Sequence, residues 1–183
     1  MKRPYLFASL AIALIAGFLL FRPDKLFADD PVDESLSEAF ATTTAATTSV
    51  EPAPSSVTVP APTNSQPSTS SSAGPVVLVR GDFAGIDHRA AGTATIYEDE
   101  GKYVLRFEDD TDIQNGPDLY VWVIAGNAYE AGVPNIYLDL GKLKGNLGGQ
   151  NYELPAEFDP ATHRGVLIWC LRFAVPFAFA PLT

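Results

Sequence analysis

Alternating apolar and polar positions run along the chain from residue 76 onward. In KYVLRFED (102–109), the odd positions Tyr103, Leu105 and Phe107 would share one face of an extended chain, and Arg106 with its even-numbered neighbours would share the other. A period of two residues is typical of a half-buried antiparallel strand. The EDEG segment (98–101) separates this run from the preceding apolar run and predicts a hairpin turn.

Similar runs, separated by Gly, Pro, Asn and Asp, fill the chain from residue 76 to the C-terminus. No segment shows the 3.6-residue apolar period of an amphipathic helix. The pattern therefore predicts an all-β domain, either an antiparallel β-sandwich or a partly closed barrel of about eight strands. The strands are predicted at residues 76–80, 92–98, 102–108, 117–125, 135–140, 150–153, 164–175 and 176–180.

The run GVLIWCLRFAVPFAFAPL (165–182) is apolar on both faces of an extended chain, which predicts a central strand that is covered on each side. Its odd positions carry the larger side chains, including Leu171 and Phe173, and we expect them all to lie in the core. Pro176 cannot donate a ladder hydrogen bond, so it predicts a bend or a switch between sheets.

Residues 1–28 have the features of a membrane anchor. Lys2 and Arg3 precede an uninterrupted apolar run at 4–21, whose eighteen residues would span roughly 27 Å as a helix, just enough to cross a hydrocarbon core. No small-residue cleavage site closes the run. We therefore expect an uncleaved signal-anchor, a single-pass protein of the cell membrane, and an extracytoplasmic C-terminal domain, periplasmic or extracellular.

Residues 29–75 are predicted to be a disordered linker between the anchor and a β domain at 76–183. Most of this segment consists of Ala, Thr, Ser and Pro, and such a composition cannot bury enough apolar surface to fold. Proline would extend it into a spacer that lifts the domain off the membrane. At its start, residues 29–40 are predicted to form a short helix.

Acidic residues outnumber basic residues in this chain, which limits the classes of partner that it can bind. The net charge is −10, and residues 76–183 contribute eight Lys/Arg against fifteen Asp/Glu. This surface repels phosphate backbones, so we expect no nucleic-acid partner. The single cysteine excludes an internal disulfide and any multi-cysteine zinc or iron–sulfur site.

Cys170 is the candidate centre for redox chemistry. If alternation continues along its strand, Cys170 faces away from Trp169 and shares a side with Arg172, whose charge would favour the thiolate. His88 is the candidate partner, and a copper ion or a haem iron would suit an imidazole–thiolate pair. The alternative is that Cys170 is a small core residue, because free cysteines are commonly buried.

Three other segments have weaker signals. His163 follows a proline turn and is expected to face solvent, and the acidic segment 108–112 could bind calcium but lacks the full EF-hand pattern. The segment GKLKGNLGGQN (141–151) is rich in glycine but has no P-loop ending, which indicates a constrained loop. No hydrolase or nucleotide motif is present, so we expect a non-enzymatic electron-transfer or binding module.

Three blocks in order, NGPDLYVWV (115–123), LDLGKLKGNLGGQNYELP (138–155) and GVLIWCLRFAVPFAFAPL (165–182), resemble the DM13 domain. The resemblance covers residues 76–183, with a longer loop at 125–135. It implies a β-sandwich-like extracytoplasmic module of the kind found in membrane-anchored bacterial proteins and, in eukaryotes, beside DOMON and cytochrome b561 modules. It also implies electron transfer or thiol redox chemistry through the cysteine that matches Cys170.

Two hypotheses follow for the function. The first is a membrane-tethered redox or electron-transfer accessory module that serves a redox partner protein, with Cys170 as its centre, Arg172 tuning the thiol and His88 as its partner. The second is a binding or adhesion module in which Cys170 is structural.

Overall fold

The computed structural model describes residues 28–41 and 74–183. These residues form one short helix, α1 (Leu36–Phe40), and eleven strands whose pairings are all antiparallel. The strands are β1 (Val76–Asp82), β2 (Ala84–Gly85), β3 (Ala90–Ala91), β4 (Thr93–Asp99), β5 (Lys102–Phe107), β6 (Asp112–Ile113), β7 (Leu119–Ala125), β8 (Tyr137–Lys142), β9 (Gln150–Glu153), β10 (His163–Cys170) and β11 (Val175–Pro181). The predicted all-β antiparallel class is confirmed. Three two-residue strands, β2, β3 and β6, were not predicted.

Two open sheets pack face to face in a sandwich-like arrangement. One has the order β1-β4-β5-β9 and the other the order β2-β11-β10-β7-β8, with β3 and β6 as a separate pair. Neither sheet closes on itself, so the barrel alternative does not apply. The main core lies between the sheets and takes Ile96 and Leu105 from the first and Val121, Val166 and Ile168 from the second.

The predicted hairpin at 98–101 is confirmed. β4 and β5 pair in the register Ile96↔Leu105 and Asp99↔Lys102, which leaves two residues in the turn. Both of them, Glu100 and Gly101, have positive φ (51° and 83°). Two-residue turns of this kind match the twist of the strands they connect.

β10 is the third of five strands, so the predicted central position is confirmed. Val166, Ile168 and Cys170 face the main core, whereas Leu167 and Trp169 face a second apolar cluster on the outer side of the sheet. Tyr129, from the loop between β7 and β8, packs against this second cluster. Each side of the strand is therefore covered, as its apolar composition requires.

The predicted strand at 164–175 is wrong beyond residue 170. β10 ends at Cys170, a turn follows at 171–174, and β11 returns antiparallel to β10. Leu171 and Phe173, expected in the core, are 49% and 58% exposed because they lie in this turn. Pro176 lies opposite Trp169 where the register shifts, so it produces a bulge within one sheet and not a switch between sheets.

Residues 28–41 pack against the domain, although their composition predicted that nearly all of them belong to the linker. The N–H of Val32 donates to the carbonyl of Leu147 (2.8 Å), and α1 contacts β5 and β9. The helix is confined to Leu36–Phe40 because the residues on either side of it, Ser35 and Ala41, have extended backbone conformations. This packing also changes the environment of Arg106, which was expected on a solvent face but is buried.

The predictions for the membrane anchor and for most of the linker lie outside the described residues. These predictions concern residues 1–27 and 42–73. Within the described ranges, no helix has the length and apolar character needed to span a membrane.

Candidate functional site

Cys170 is the last residue of β10 and is completely buried, at 0% exposure, in the main core. Its cross-strand neighbours are Leu119 on β7 and Val175 on β11. The sulfur is a free thiol. A thiol in this position packs as a small apolar group, and a reagent from solvent reaches it only if the strands open.

Arg172 lies in the turn after β10 and is exposed. The expectation that Arg172 shares a face with Cys170 assumed that the strand continued through residue 172. Because β10 ends at Cys170 and the next four residues form a turn, strand alternation no longer relates the two side chains. The turn is closed by Ala174, which has a positive φ of 52°.

His88 lies at the edge of the main core, in the bend after β2, and is half-buried. Its imidazole stacks on the ring of Phe177, with 3.6 Å between the ring centroids and 24° between the planes. Phe177 belongs to the same core cluster as Cys170. The structure therefore places the imidazole against an aromatic ring at the border of the cluster that contains the thiol.

Copper or haem binding by Cys170 and His88 stays a prediction. Cys170 faces the interior of the sandwich, and the His88 ring stacks on Phe177. Among residues 28–41 and 74–183, no group of three His, Cys, Asp or Glu side chains is placed to hold a metal ion. We therefore derive no step through copper or haem.

The two other candidates from the sequence have structural partners. His163 is buried, contrary to expectation, and its Nδ1 accepts a hydrogen bond from the Asp159 N–H (3.0 Å). In the acidic segment, Glu108 and Asp109 bind the guanidinium of Arg106 at 2.9 and 2.6 Å. These carboxylates neutralise a buried cation of the protein itself.

The outer face of the five-stranded sheet carries an aromatic stack that sequence reasoning missed. Trp122 stacks on Trp169 (5.2 Å between centroids, 18° between planes) and, on its other side, on Tyr137 (4.3 Å, 28°). Trp122 and Trp169 are each 2% exposed, whereas Tyr137 is 39% exposed. We call Tyr137, Trp122 and Trp169 the aromatic stack.

Strand register builds the aromatic stack. Leu167 pairs with Trp122 and Trp169 pairs with Tyr120, so the two indoles are diagonal neighbours on adjacent strands. Tyr137 pairs with Ile124 and so lies diagonal to Trp122 on the other side. Diagonal neighbours are within reach of one another when the side chains are aromatic. The signal in the sequence was that the only two tryptophans of the chain both fall in predicted strands.

The indole of Trp122 has an unusual polar environment. Its Nε1 is buried and has no hydrogen-bond partner in the described part of the chain. An unpaired buried N–H costs about 1–3 kcal/mol, so most buried indoles find an acceptor. Among the residues that the structure describes, no base is placed to receive the proton of this nitrogen.

Comparison with known proteins assigns a family. A family model described as Electron transfer DM13 matches residues 82–182, which is more than half of the chain and includes all of β10 and β11. No curated protein and no solved structure matches the chain significantly. The residues of the aromatic stack and Cys170 all lie inside the matched range. The chain therefore belongs to the DM13 family, a family described by electron transfer.

Proposed function

We propose that this protein is a membrane-tethered, extracytoplasmic electron-transfer accessory module in which the aromatic stack carries single electrons. The family description and the predicted signal-anchor support the setting. The observation that carries the proposal is the continuous stack from an exposed phenol, Tyr137, through Trp122 to the buried Trp169. Ring stacking at these distances continues across two strand spacings, from β8 through β7 to β10.

The electron balance involves two external partners. A one-electron oxidant on a partner protein takes one electron from Trp169. Trp122 returns an electron to Trp169, and Tyr137 then returns an electron to Trp122 while its phenolic proton passes to water. A one-electron reductant restores Tyr137, which takes back a proton, so one electron has crossed the stack and every side chain is as it began.

Two features of the structure suit this role. The Trp122 Nε1–H has no hydrogen-bond partner among the described residues, so an oxidised indole keeps its proton and is restored by electron transfer alone. The exposed Leu171 and Phe173 lie close in sequence to Trp169, and their apolar side chains form the surface that we assign to the oxidant. Exposed apolar side chains grouped in one turn favour contact with another protein.

A thiol-centred mechanism is less well supported. Cys170 with Arg172 and His88 stays a prediction, drawn from residue types and the DM13 resemblance, and the buried thiol would need the strands to open before it could react. A recognition module without electron transfer is the second candidate, and the exposed Leu171 and Phe173 are the observation that favours it.

Photochemical oxidation tests the proposal. The protein is oxidised by a photogenerated one-electron oxidant, and the radicals are followed by transient absorption and electron paramagnetic resonance. We expect a tryptophanyl signal that converts to a tyrosyl signal. In Tyr137→Phe the tryptophanyl radical should persist, because the terminal phenol is missing while the ring still stacks.

A matched control is Tyr97→Phe, since Tyr97 is a half-buried tyrosine on the other sheet that bonds to Glu108. It should behave like the wild type. Equal radical kinetics in Tyr137→Phe and Tyr97→Phe would contradict the proposal and favour the recognition module. Loss of the radical signals in Cys170→Ser, with the fold intact, would restore the thiol as the centre.

A further inference from the structure

Residues 29–35, here called the N-terminal strap, lie in a groove of the domain as an added extended segment. Pro31 forms a parallel bridge with Leu147. The backbone N–H groups of Val32 and Glu34 donate to the carbonyls of Leu147 (2.8 Å) and Gly149 (2.9 Å). The Asn146 N–H donates to the Asp30 carbonyl (3.0 Å), so the backbone bonds run in both directions. This is the pattern by which an extended peptide adds to an exposed edge.

A lysine side chain and a backbone N–H of the groove bind one carboxylate of the strap, that of Glu34. Lys144 Nζ lies 2.8 Å from both oxygens of Glu34, and the Asn151 N–H donates to Glu34 Oε2 (2.8 Å). Arg106 donates to the Glu34 carbonyl (2.6 Å), and the Asn151 side chain donates to the next carbonyl, that of Ser35 (2.9 Å). Burial by itself would raise the pKa of Glu34, but these bonds outweigh it and lower the pKa.

Asn146 recognises the backbone of the strap near its start. Its side-chain oxygen accepts from the Asp30 N–H (2.6 Å), while its own backbone N–H donates to the Asp30 carbonyl. Asn146 is only 2% exposed, so its amide is held in place. Its side-chain nitrogen donates to the carboxylate of Asp29 (3.0 Å). The groove therefore binds both backbone groups of one strap residue and acidic side chains of its neighbours.

The glycines of the segment 141–151 make room for the strap. A Cβ on Gly145 would lie 2.1 Å from the Asp30 carbonyl oxygen, and a Cβ on Gly148 would lie 2.3 Å from that of Val32. Real Cβ atoms essentially never come so close to another atom. A glycine at these positions lets two backbones approach, which accounts for the constrained loop that the sequence indicated.

We propose that the groove formed by residues 144–151 and Arg106 is a binding site for extended acidic peptides, and that the N-terminal strap is its built-in ligand. All groove residues lie inside the family match at 82–182, whereas the strap at 29–35 lies outside it. The domain thus provides the site and this chain supplies its own occupant. Because the ligand is covalently linked, it binds intramolecularly at a high effective concentration.

The site has a consequence for the position of the domain. The strap begins immediately after the predicted anchor at 1–28, so an occupied groove holds the domain next to that anchor, and the length of the linker no longer sets the distance. This inference does not depend on electron transfer through the aromatic stack, and its test can fail without affecting that proposal.

Cleavage of the full chain tests the site. A specific protease sequence is placed within residues 42–73, the chain carries a C-terminal tag, and the cleaved protein is held on resin in detergent and washed. We expect the N-terminal fragment to stay bound. Glu34→Lys places a cation beside Lys144 and Arg106, so the fragment should be released at least about tenfold faster.

Asp33→Lys is the matched control, because it makes the same charge change at an exposed residue of the strap. Its fragment should be retained like the wild type. An excess of synthetic peptide 28–41 (ADDPVDESLSEAFA) should displace the retained fragment, and the same peptide with Glu34→Lys should not. Immediate release of the wild-type fragment, or equal retention in Glu34→Lys and Asp33→Lys, would overturn the proposal. A dimeric uncleaved chain in light scattering would overturn the intramolecular assignment.

Discussion

Cys170 should be nearly inert toward thiol reagents in the native protein. The side chain is 0% exposed, and its strand is flanked by β7 on one side and β11 on the other. A reagent reaches the sulfur only when these strands separate. The free energy needed to open a core strand approaches the global free energy of unfolding of the domain, which is about 5–15 kcal/mol. An opening free energy of only about 4 kcal/mol leaves roughly one molecule in a thousand accessible.

The assay follows the reaction of native protein with an aromatic disulfide and compares it with the rate in strong denaturant. Because Cys170 is the only cysteine, the signal belongs to a single residue. We expect the native rate to be at least about a thousandfold lower and to rise with mild denaturant.

A control for the chemistry places the thiol in the neighbouring turn. Phe173→Cys in a Cys170→Ser background puts a thiol at a position that is 58% exposed in the wild type, and it should react at close to the denatured rate. A native Cys170 that reacts within about tenfold of its denatured rate would refute its assignment to the core, since such a rate requires an opening free energy below about 1.4 kcal/mol. That result would also return the thiol-centred mechanism to first place.

Two further predictions concern the strap. Because the pKa of Glu34 is lowered, its contribution to strap binding is present above about pH 4.5 and is lost as the pH falls through the depressed pKa. Release of the cleaved fragment should therefore accelerate in acid. Glu34→Gln should weaken this pH dependence. Gly145→Ala should expel the strap, because its Cβ would lie 2.1 Å from the Asp30 oxygen, whereas Gly74→Ala, with nothing within 4 Å, should not. Hydrogen exchange at the amide of Val32 measures both changes, and protection equal to the wild type in Gly145→Ala would contradict the second.

Local patterns were sufficient to predict most of the strands. In β5, the alternation of Tyr103, Leu105 and Phe107 predicted the face that packs in the core, and EDEG predicted the turn before it. Both signals depend on residues within a few positions of one another, where pleat geometry and turn conformation act directly.

The turn at 171–174 shows where local reasoning failed. Its sequence, LRFA, has no Gly, Pro, Asn or Asp, and apolar residues continue on both sides. The chain nevertheless reverses there, because β11 must pair with β10 to cover its edge. The positive φ of Ala174 is a local conformational cost that strand pairing outweighs.

The prediction that residues 29–35 belong to a disordered linker failed for a related reason. Residues 29–35 have few apolar side chains, and by composition they resembled the linker that follows. Their binding comes from backbone hydrogen bonds and one carboxylate, which meet Asn146 and Lys144 more than a hundred residues away. No periodicity within the segment could have indicated that partner.

The amino-acid sequence alone determined the all-β class, the central strand with its single cysteine and the membership of the DM13 family, because these depend on residue type and local order. Only the tertiary structure decided that Cys170 is enclosed, that Trp122 stacks between Tyr137 and Trp169, and that the strap fills the groove. The physical reason is register: side chains from distant segments meet only when strand pairing brings them to the same face at the same height.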